Sequence, residues 1–401
     1  MEKLEKSILK NIYFIVMLLF LILSLYRGSF EIVPFVYGTL SVILIAYGYF
    51  VIKKYYPRVD KYLYIISVFI VEFGLVMLYR LDFQRALKQL IWFAIGIMLF
   101  IFILILFPDI KRLQKYSMFF AIFNLVLLTM PLLLGREIKG SKNWIQVGSL
   151  SFQPSELAKI FMIFYLSDVI RKIKDYKDVL KYSIPIVLSI AIFVLEKDLG
   201  SALMFFGMFM AMLYVGTSRL RYILSGLVLF VLGGFFSYVV FDHVKRRINI
   251  WLNPWKDKYG AGYQICQSLI AIASGGLFGT GLAGGHPEVI PEVHTDFIFS
   301  AIAEEFGLLG AIALLILYLL LIYRMLRTAL YAKEDYSRLV AVGIASMFAF
   351  QVFVIVGGVT KMIPLTGITL PFVSYGGSSM IINFLAIGIL QKISEVGNED
   401  A

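Results

Sequence analysis

The stretch LKQLIWFAIGIMLFIFILILF, residues 87–107, decides the fold class. As a helix it is long enough to cross about 30 Å of hydrocarbon, and apolar runs of similar length recur along the chain with short polar breaks. The chain is 60% hydrophobic and 16% charged, which is more apolar than an ordinary water-soluble core requires. We therefore expect an all-α, polytopic transmembrane helical bundle rather than a series of soluble domains.

The apolar runs predict about twelve membrane spans. Two consecutive runs, 182–196 and 199–216, are separated only by Glu196-Lys197-Asp198, so two spans and one broken helix both remain open. The first run follows several lysines, as a signal peptide does, but no small-residue cleavage site follows it, so we expect a retained helix. The predicted spans are 11–26, 33–52, 62–79, 87–107, 116–134, 156–170, 182–196, 199–216, 222–241, 297–323, 339–359 and 379–391.

The net charge of +11 could suggest a nucleic-acid partner. The basic residues instead form short clusters between apolar runs, which is typical of membrane topology, so no nucleic acid is expected. With the amino terminus inside, most of the 37 Lys and Arg residues fall in cytoplasmic segments, and the positive-inside rule predicts both termini in the cytoplasm. Three loops, 135–155, 242–296 and 360–378, then lie outside. Residues 264–277 of the middle loop are apolar but too few to span, which predicts a re-entrant or interfacial helix.

Cysteine and histidine give no evidence for a metalloenzyme. Cys266 is the only cysteine, which excludes an intrachain disulfide and a multi-cysteine metal site. His243, His286 and His294 lack the spacing of a helical zinc-protease motif.

One short external segment is rich in acids. Glu288, Glu292 and Asp296 are spaced by four, and His294 lies between the last two. Glu292, His294 and Asp296 belong to the stretch PEVHTDFIF, residues 291–299. A solvated acidic loop is one interpretation of this pattern. Because apolar residues follow Asp296 directly, its carboxylate is expected at the membrane boundary, where it is a candidate general base.

Other ionisable residues lie at predicted helix breaks. Asp198, beside Lys197, is costly in a membrane unless it is paired or used, and a structural ion pair and a functional role remain equally open. Glu156 suits a helix start, and Lys159 more often snorkels or pairs with a neighbour than binds a ligand. The run from Gly376 to Ser379 resembles a phosphate cradle of backbone amides at a helix start. Four such residues are weak evidence, and a packing turn explains them as well.

Six motifs together resemble the SEDS family of RodA, FtsW and SpoVE, in the family's order and spacing. The resemblance covers roughly residues 60–393 and implies a ten-span core. It implies a peptidoglycan glycosyltransferase that polymerises lipid II at the outer face of the bacterial cytoplasmic membrane, with a class B penicillin-binding protein as partner. The motifs are GSKNWI (140–145), FQPSELAK (152–159), KDLGSAL (197–203), GYQICQSLIAIASGGLFGTGL (262–282), PEVHTDFIFSAIAEEFG (291–307) and TGITLPFVSYGGSS (366–379).

The resemblance also assigns roles to residues. Asp296 matches the essential catalytic aspartate, and Glu288 matches an acidic residue of functional interest. Asp198 matches the family's buried aspartate, with Lys142 as its expected partner, and His294 is expected to position rather than catalyse. The residues expected to bind substrate or diphosphate, or to support the site, are Lys142, Trp144, Glu156, Lys159, Asp198, Lys245, Arg246, Arg247, Gln264, Ser268, His294, Ser374 and Ser378.

The implied chemistry needs a base and positive charge. The donor brings undecaprenyl diphosphate as its leaving group, so no nucleotide is expected. Asp296 would take the proton from the acceptor 4-hydroxyl, giving a β-1,4 linkage with inversion. Lys245, Arg246 and Arg247, or a divalent cation such as Mg²⁺ or Mn²⁺, would stabilise the diphosphate; no cofactor is firmly implied.

Three departures mark a divergent member. Residues 1–55 add two spans to the core, and a short cytoplasmic tail is expected at 394–401. Gly285-His286-Pro287 stands where relatives carry a Ser-x-Gln-Lys-like sequence, and Ile355 stands where they commonly have Asn.

Two other functions are compatible with a helical bundle of this kind. A lipid II flippase would also use broken helices and intramembrane charges, but it should place them on both faces of a path, whereas the notable ones here cluster near the outer side. An inactive scaffold that recruits a transpeptidase is disfavoured because the candidate base is present. Elongation, division and sporulation remain equally open as the cellular role.

Overall fold

The computed structural model describes residues 2–26, 28–107, 109–138, 141–148 and 150–397. These residues form fourteen α-helices, four short 3-10 helices and three short strands. The α-helices are α1 (Glu2–Leu25), α2 (Ile32–Tyr55), α3 (Lys61–Leu81), α4 (Phe83–Leu106), α5 (Ser117–Leu134), α6 (Pro154–Val169), α7 (Tyr176–Leu195), α8 (Leu199–Thr217), α9 (Leu220–Val240), α10 (Asp242–Leu252), α11 (Tyr263–Gly275), α12 (Ile298–Tyr331), α13 (Asp335–Val359) and α14 (Gly377–Gly397). The strands are β1 (Arg136–Ile138), β2 (Ser141–Val147) and β3 (Leu150–Phe152).

The predicted polytopic helical bundle is confirmed. Eleven helical segments of the described residues are long and apolar enough to cross a membrane. The remaining predicted span, 156–170, corresponds to α6, which has 16 residues and is shorter than each of those eleven segments. The ambiguous region 182–216 forms two helices, α7 and α8, because the chain turns at Lys197 with a φ of 61°. The last residues of the predicted tail, 398–401, lie outside the described part.

The chain divides into two compact units. Unit 1 comprises Met1–Leu106, Lys258–Arg324 and Thr369–Ala401, and unit 2 comprises Phe107–Asp257 and Met325–Ile368. Each unit is assembled from segments that are distant in sequence, so helices from both halves of the chain contribute to each core.

The first two helices are an integral part of unit 1. The hydroxyl of Tyr37 on α2 donates to the carbonyl of Ala86 at 2.8 Å, and Tyr64 on α3 donates to the carbonyl of Ile45 at 3.1 Å. Ser41 donates to Oε2 of Glu72, a carboxyl that is 1% exposed on α3. The helices that distinguish this chain from a ten-span core are therefore joined to it by buried polar contacts.

Glycines allow the loop after α11 to lie against the start of α12. Gly279 and Gly307 have φ angles of 85° and 70°, and a Cβ on Gly279 would collide with the carbonyl of Glu305. The amide of Gly281 donates to that same carbonyl at 3.1 Å. This close backbone approach is possible only without side chains, and it fixes the loop that leads to residues 283–296.

Unit 2 contains a structure that the sequence did not predict. The loop 135–155 forms an antiparallel sheet in the order β1-β2-β3, with Ile145 opposite Phe152. Ser141 and the amide of Lys142 both donate to the carbonyl of Glu196, at 2.9 and 3.3 Å. These bonds hold β2 against the turn between α7 and α8.

Candidate active site

Asp296 lies at the point where the external loop becomes α12. Its amide and that of Thr295 both donate to the carbonyl of Glu292 at 3.1 Å, and Glu292 has a φ of 60°. Asp296 is half-buried, whereas the next residue, Phe297, is fully buried. A tight turn thus presents a carboxylate directly before a buried apolar segment, and the predicted place of this carboxylate at the membrane boundary stays a prediction.

The loop before α14 supports this turn. Ser374 Oγ donates to the carbonyl of Thr295 at 2.5 Å, and the amide of Tyr375 donates to the carbonyl of His294 at 2.8 Å. Gln89, 1% exposed on α4, donates to the carbonyl of Ser374 and accepts from the amide of Gly376, both at 3.1 Å. The buried side-chain amide of Gln89 therefore fixes the loop before α14, and this loop in turn holds residues 294 and 295 in place.

His294 lies between α4 and the acidic segment. Nη1 of Arg85 is 2.6 Å from its Nδ1, and its Nε2 is 3.5 Å from Oε2 of Glu292. A guanidinium can only donate, so Nδ1 is the acceptor in this contact and the ring hydrogen of a neutral imidazole is assigned to Nε2. This geometry suits the positioning role expected for His294.

Glu288 forms an ion pair with Arg80 of α3. Its Oε2 lies 3.2 Å from Nη2 of Arg80, and its Oε1 lies 3.4 Å from Nδ1 of His286. Partial burial raises the pKa of Glu288, but a hydrogen bond from its own amide and the charges of Arg80 and His286 outweigh burial and hold that pKa below its ordinary value. Glu288 is thus an ionised acceptor at neutral pH.

Three other predicted residues of unit 1 lie on α11 and α14. Ser268 on α11 shares a hydrogen bond of 2.7 Å with Ser300 on α12. Gln264 is half-buried in the first turn of α11, and Ser378 is buried in the first turn of α14. A Cβ on Gly377 would lie 2.6 Å from the Trp92 ring. Since Gln89 already binds the amide of Gly376, the structure favours the packing turn over the phosphate cradle.

The predicted pairing of Asp198 with Lys142 is wrong. Asp198 accepts from Nδ2 of Asn143 at 2.8 Å and caps α8 through the amide and hydroxyl of Ser201. Lys142 Nζ instead donates to the carbonyl of Leu132 at 2.7 Å. Successive side chains of a strand point to opposite faces, so on β2 only one of these two neighbours can face Asp198.

The remaining predicted residues lie in unit 2. Lys159 Nζ is 2.8 Å from Glu156 and 3.2 Å from Oε1 of Gln351, and both members of the ion pair are buried. Arg247 donates to the carbonyl of Thr366 at 3.2 Å. Lys245 and Arg246 are exposed on α10, and Trp144 is half-buried on β2. Lys159 thus pairs with a neighbour, as expected.

Comparison with known proteins identifies the family. The family model for FtsW, RodA and SpoVE, described as cell cycle protein, matches residues 60–399. The chain belongs to the FtsW/RodA/SpoVE family. It is 36% identical over 387 residues to peptidoglycan glycosyltransferase RodA of Mycobacterium tuberculosis, covering 89% of this chain and 82% of that protein. It is 37% identical over 363 residues to stage V sporulation protein E of Bacillus subtilis, covering 85% and 98%.

Solved structures show the same fold. A chain of a peptidoglycan synthase complex that coordinates polymerization and crosslinking superposes with a TM-score of 0.74 at 30% identity, covering 85% of this chain and 99% of that chain. Thermus thermophilus rod shape determining protein RodA superposes with a TM-score of 0.65 at 29% identity, covering 84% and 97%. This multi-pass membrane protein thus shares the architecture of known FtsW/RodA/SpoVE members, as the sequence motifs predicted.

The described residues do not form a metal site made of protein ligands alone. No group of three or more His, Cys, Asp or Glu side chains among them is arranged to hold a metal ion. The divalent cation considered from the sequence stays a prediction, and no step of the chemistry is assigned to it.

Three residues at this site were missed from the sequence. Arg80, Arg85 and Gln89 come from the last turn of α3 and the first turns of α4. The signal that could have identified them is the group of charges at the polar break between two apolar runs. Such a group also indicates membrane topology, which explains its presence without a functional site. Their partners lie more than two hundred positions away, so spacing within a motif could not identify them.

Proposed function

We propose that this chain is a peptidoglycan glycosyltransferase that polymerises lipid II into β-1,4-linked glycan strands. The observation that supports this most directly is the half-buried carboxylate of Asp296 in a fixed turn at an apolar boundary. The names of its relatives in the FtsW/RodA/SpoVE family support the same reaction.

Asp296 acts as the general base. It accepts the proton of the acceptor 4-hydroxyl while that oxygen forms a bond to the anomeric carbon of the donor. The bond from that carbon to undecaprenyl diphosphate breaks, and the diphosphate leaves with the bonding electrons. Attack from the opposite side inverts the anomeric carbon. A base within hydrogen-bond reach of the attacking hydroxyl commonly contributes about 10²–10⁴-fold to such a step.

Glu288 supports the base without exchanging protons. Its pKa lies below the ordinary value, so it remains an ionised hydrogen-bond acceptor for substrate hydroxyl or amide groups at neutral pH. The cationic contacts to the departing diphosphate, which the sequence assigned to Lys245, Arg246 and Arg247, stay a prediction.

The site is assigned to the outer face of the bacterial cytoplasmic membrane, with both termini in the cytoplasm. A class B penicillin-binding protein is assigned as the partner that crosslinks the strands. This assignment is supported by the superposition on a chain from a complex that coordinates polymerization with crosslinking.

Reconstitution separates the enzyme from a flippase. The purified protein is placed in liposomes with labelled lipid II, with and without its penicillin-binding protein, and both glycan length and movement of label between leaflets are measured. The proposal expects glycan strands. Movement of label without glycan would support the flippase, and neither activity in the presence of the partner would support a scaffold.

A further inference from the structure

Arg80 on α3 contacts three acceptors through one guanidinium. Its Nε donates to Oε1 of Glu305 at 2.8 Å, and its Nη2 donates to the carbonyl of Gly285 at 2.8 Å. The same Nη2 lies 3.2 Å from Oε2 of Glu288. The planar fork of an arginine can hold several acceptors at once in fixed directions. One side chain therefore connects a membrane helix, α12 and the loop that carries Glu288.

Two glutamates of α12 hold the same loop through its backbone amides. Oε2 of Glu305 accepts from the amide of Ala283 at 3.0 Å, and Oε1 of Glu304 accepts from the amide of His286 at 2.9 Å. Glu305 thus binds Arg80 with one oxygen and the loop backbone with the other. The loop from 283 to 288 is consequently held by side chains whose own positions are fixed on helices.

Burial separates anchoring groups from accessible groups. The side chain of Glu305 is fully buried and that of Arg80 is 14% exposed, whereas that of Glu288 is 50% exposed. The guanidinium is mostly enclosed by protein acceptors, so it is poorly placed to bind substrate itself. Glu288 keeps an exposed edge that a substrate can reach.

We propose that Arg80 is a positioning residue for glycosyl transfer, which orients the 283–288 loop and Glu288, eight positions before Asp296 in the chain. This inference rests on the proposed function, because Glu288 supports catalysis only if the chain transfers glycosyl groups. The charged or titratable groups that contact Glu288 are Arg80 from α3 and His286 from its own loop, and Arg80 also pairs with Glu305 of α12.

The test compares Arg80→Gln, Arg80→Lys and Glu288→Gln in the full-length protein. Arg80→Gln should slow lipid II polymerisation about tenfold or more, because a displacement of about 1 Å in an active site can cost about 10²-fold. Without the guanidinium, the pKa of Glu288 rises, so the part of the acid limb that Glu288→Gln removes should move to higher pH in the pH–rate profile. Arg80→Lys should restore the limb more than the rate. The Arg80→Gln, Glu288→Gln variant should be slowed by less than the product of the two single effects.

Two further variants and one further measurement complete the test. Arg80→Gln leaves the buried carboxylate of Glu305 without its cationic partner. If this single variant does not fold, the double variant Arg80→Gln with Glu305→Gln is measured instead. Arg338→Gln removes an exposed guanidinium paired with Asp335 and should change neither rate nor profile. Hydrogen exchange at the amides of Ala283 and His286 should accelerate in Arg80→Gln, and this readout does not depend on activity.

The outcomes distinguish this inference from the proposed function. A wild-type protein that makes no glycan contradicts the function, and the hydrogen exchange of residues 283–288 then still decides whether Arg80 holds the loop. An Arg80→Gln protein, or its double variant with Glu305→Gln, with wild-type rate, acid limb and exchange would overturn the role of Arg80.

Discussion

The guanidinium of Arg85 on α4 lies 2.6 Å from Nδ1 of His294, two residues before Asp296. Arg85 is itself held by Asp82, whose carboxylate accepts from the Arg85 amide at 3.1 Å and lies 3.5 Å from its Nε. A polar turn between two membrane helices thus fixes the ring that precedes the candidate base.

His294→Asn should retain more activity than His294→Gln. The carbonyl oxygen of Asn lies close to the position of Nδ1 and can accept from Arg85, whereas that of Gln lies closer to the position of Nε2. Losing a hydrogen bond to a charged group costs about 1.5–3 kcal/mol. We therefore expect His294→Gln to polymerise at least about tenfold more slowly than the wild type. Rates measured with purified lipid II test this order, and equal rates for the two variants would contradict the assigned contact.

Asn143→Ala should destabilise the protein more than Lys142→Ala. The first change removes a hydrogen bond from buried Asp198, at a cost of about 1–3 kcal/mol, whereas the second removes one bond to a backbone carbonyl, at a cost of about 1 kcal/mol. Thermal unfolding in detergent, followed by intrinsic fluorescence, measures both variants under one condition. The reverse order would support the pairing first expected from the sequence.

Glu196→Gln should make stability less dependent on pH. Burial, with a smaller contribution from Asp198, raises the pKa of Glu196 to about 8, and neither of its carboxyl oxygens has a hydrogen-bond partner among the described residues. The folded state therefore keeps a proton that the unfolded state loses near pH 4.3. The resulting stability is complete below about pH 4 and is lost as the pH rises to about 8.

Melting temperatures between pH 5 and 9 test this dependence. The wild type should lose stability from pH 5 to about pH 8, by at most about 1.4 kcal/mol per pH unit, and the Gln variant should lose less. Asp335→Asn, which changes an exposed carboxylate, is the control and should follow the wild type. A Gln variant with the same slope as the wild type would show that Glu196 is not the group responsible.

Removing residues 1–55 should prevent accumulation of the chain in membranes. Ser41 would no longer cover Glu72, and a carboxyl group facing lipid costs several kcal/mol. The Glu72→Leu change in the truncated chain should recover part of the accumulation, because it removes that polar group. Membrane levels are compared by immunoblot, and a truncated chain that accumulates like the full-length protein would contradict an integral role for α1 and α2.

Much of the membrane architecture could be predicted because apolar runs of span length report directly on burial in lipid. The polar break at Lys197 predicted the position of the boundary between α7 and α8. The positive φ of Lys197, which ends one helix before the next begins, could not be predicted from the sequence. The short strands from Arg136 to Phe152 could not be predicted in the same way, since they lie in a polar loop and depend on bonds to the carbonyl of Glu196.

The candidate site was predictable only where its residues are adjacent in sequence. Asp296 and His294 share one motif, so their spacing and apolar context identified them. Arg80 and Arg85 join that motif through contacts between distant segments, and no local pattern encodes such contacts. The choice between Lys142 and Asn143 depended on strand geometry, because a shift of one position reverses the face that a side chain occupies.

The rate of lipid II polymerisation by Asp296→Asn tests the central claim most directly. Asn keeps the shape of the side chain but cannot accept the proton, so the variant should lose about 10²–10⁴-fold in rate while its melting temperature and binding to the penicillin-binding protein stay unchanged. Asp335→Asn should polymerise like the wild type. A well-folded Asp296→Asn protein that makes glycan at the wild-type rate would contradict Asp296 as the base.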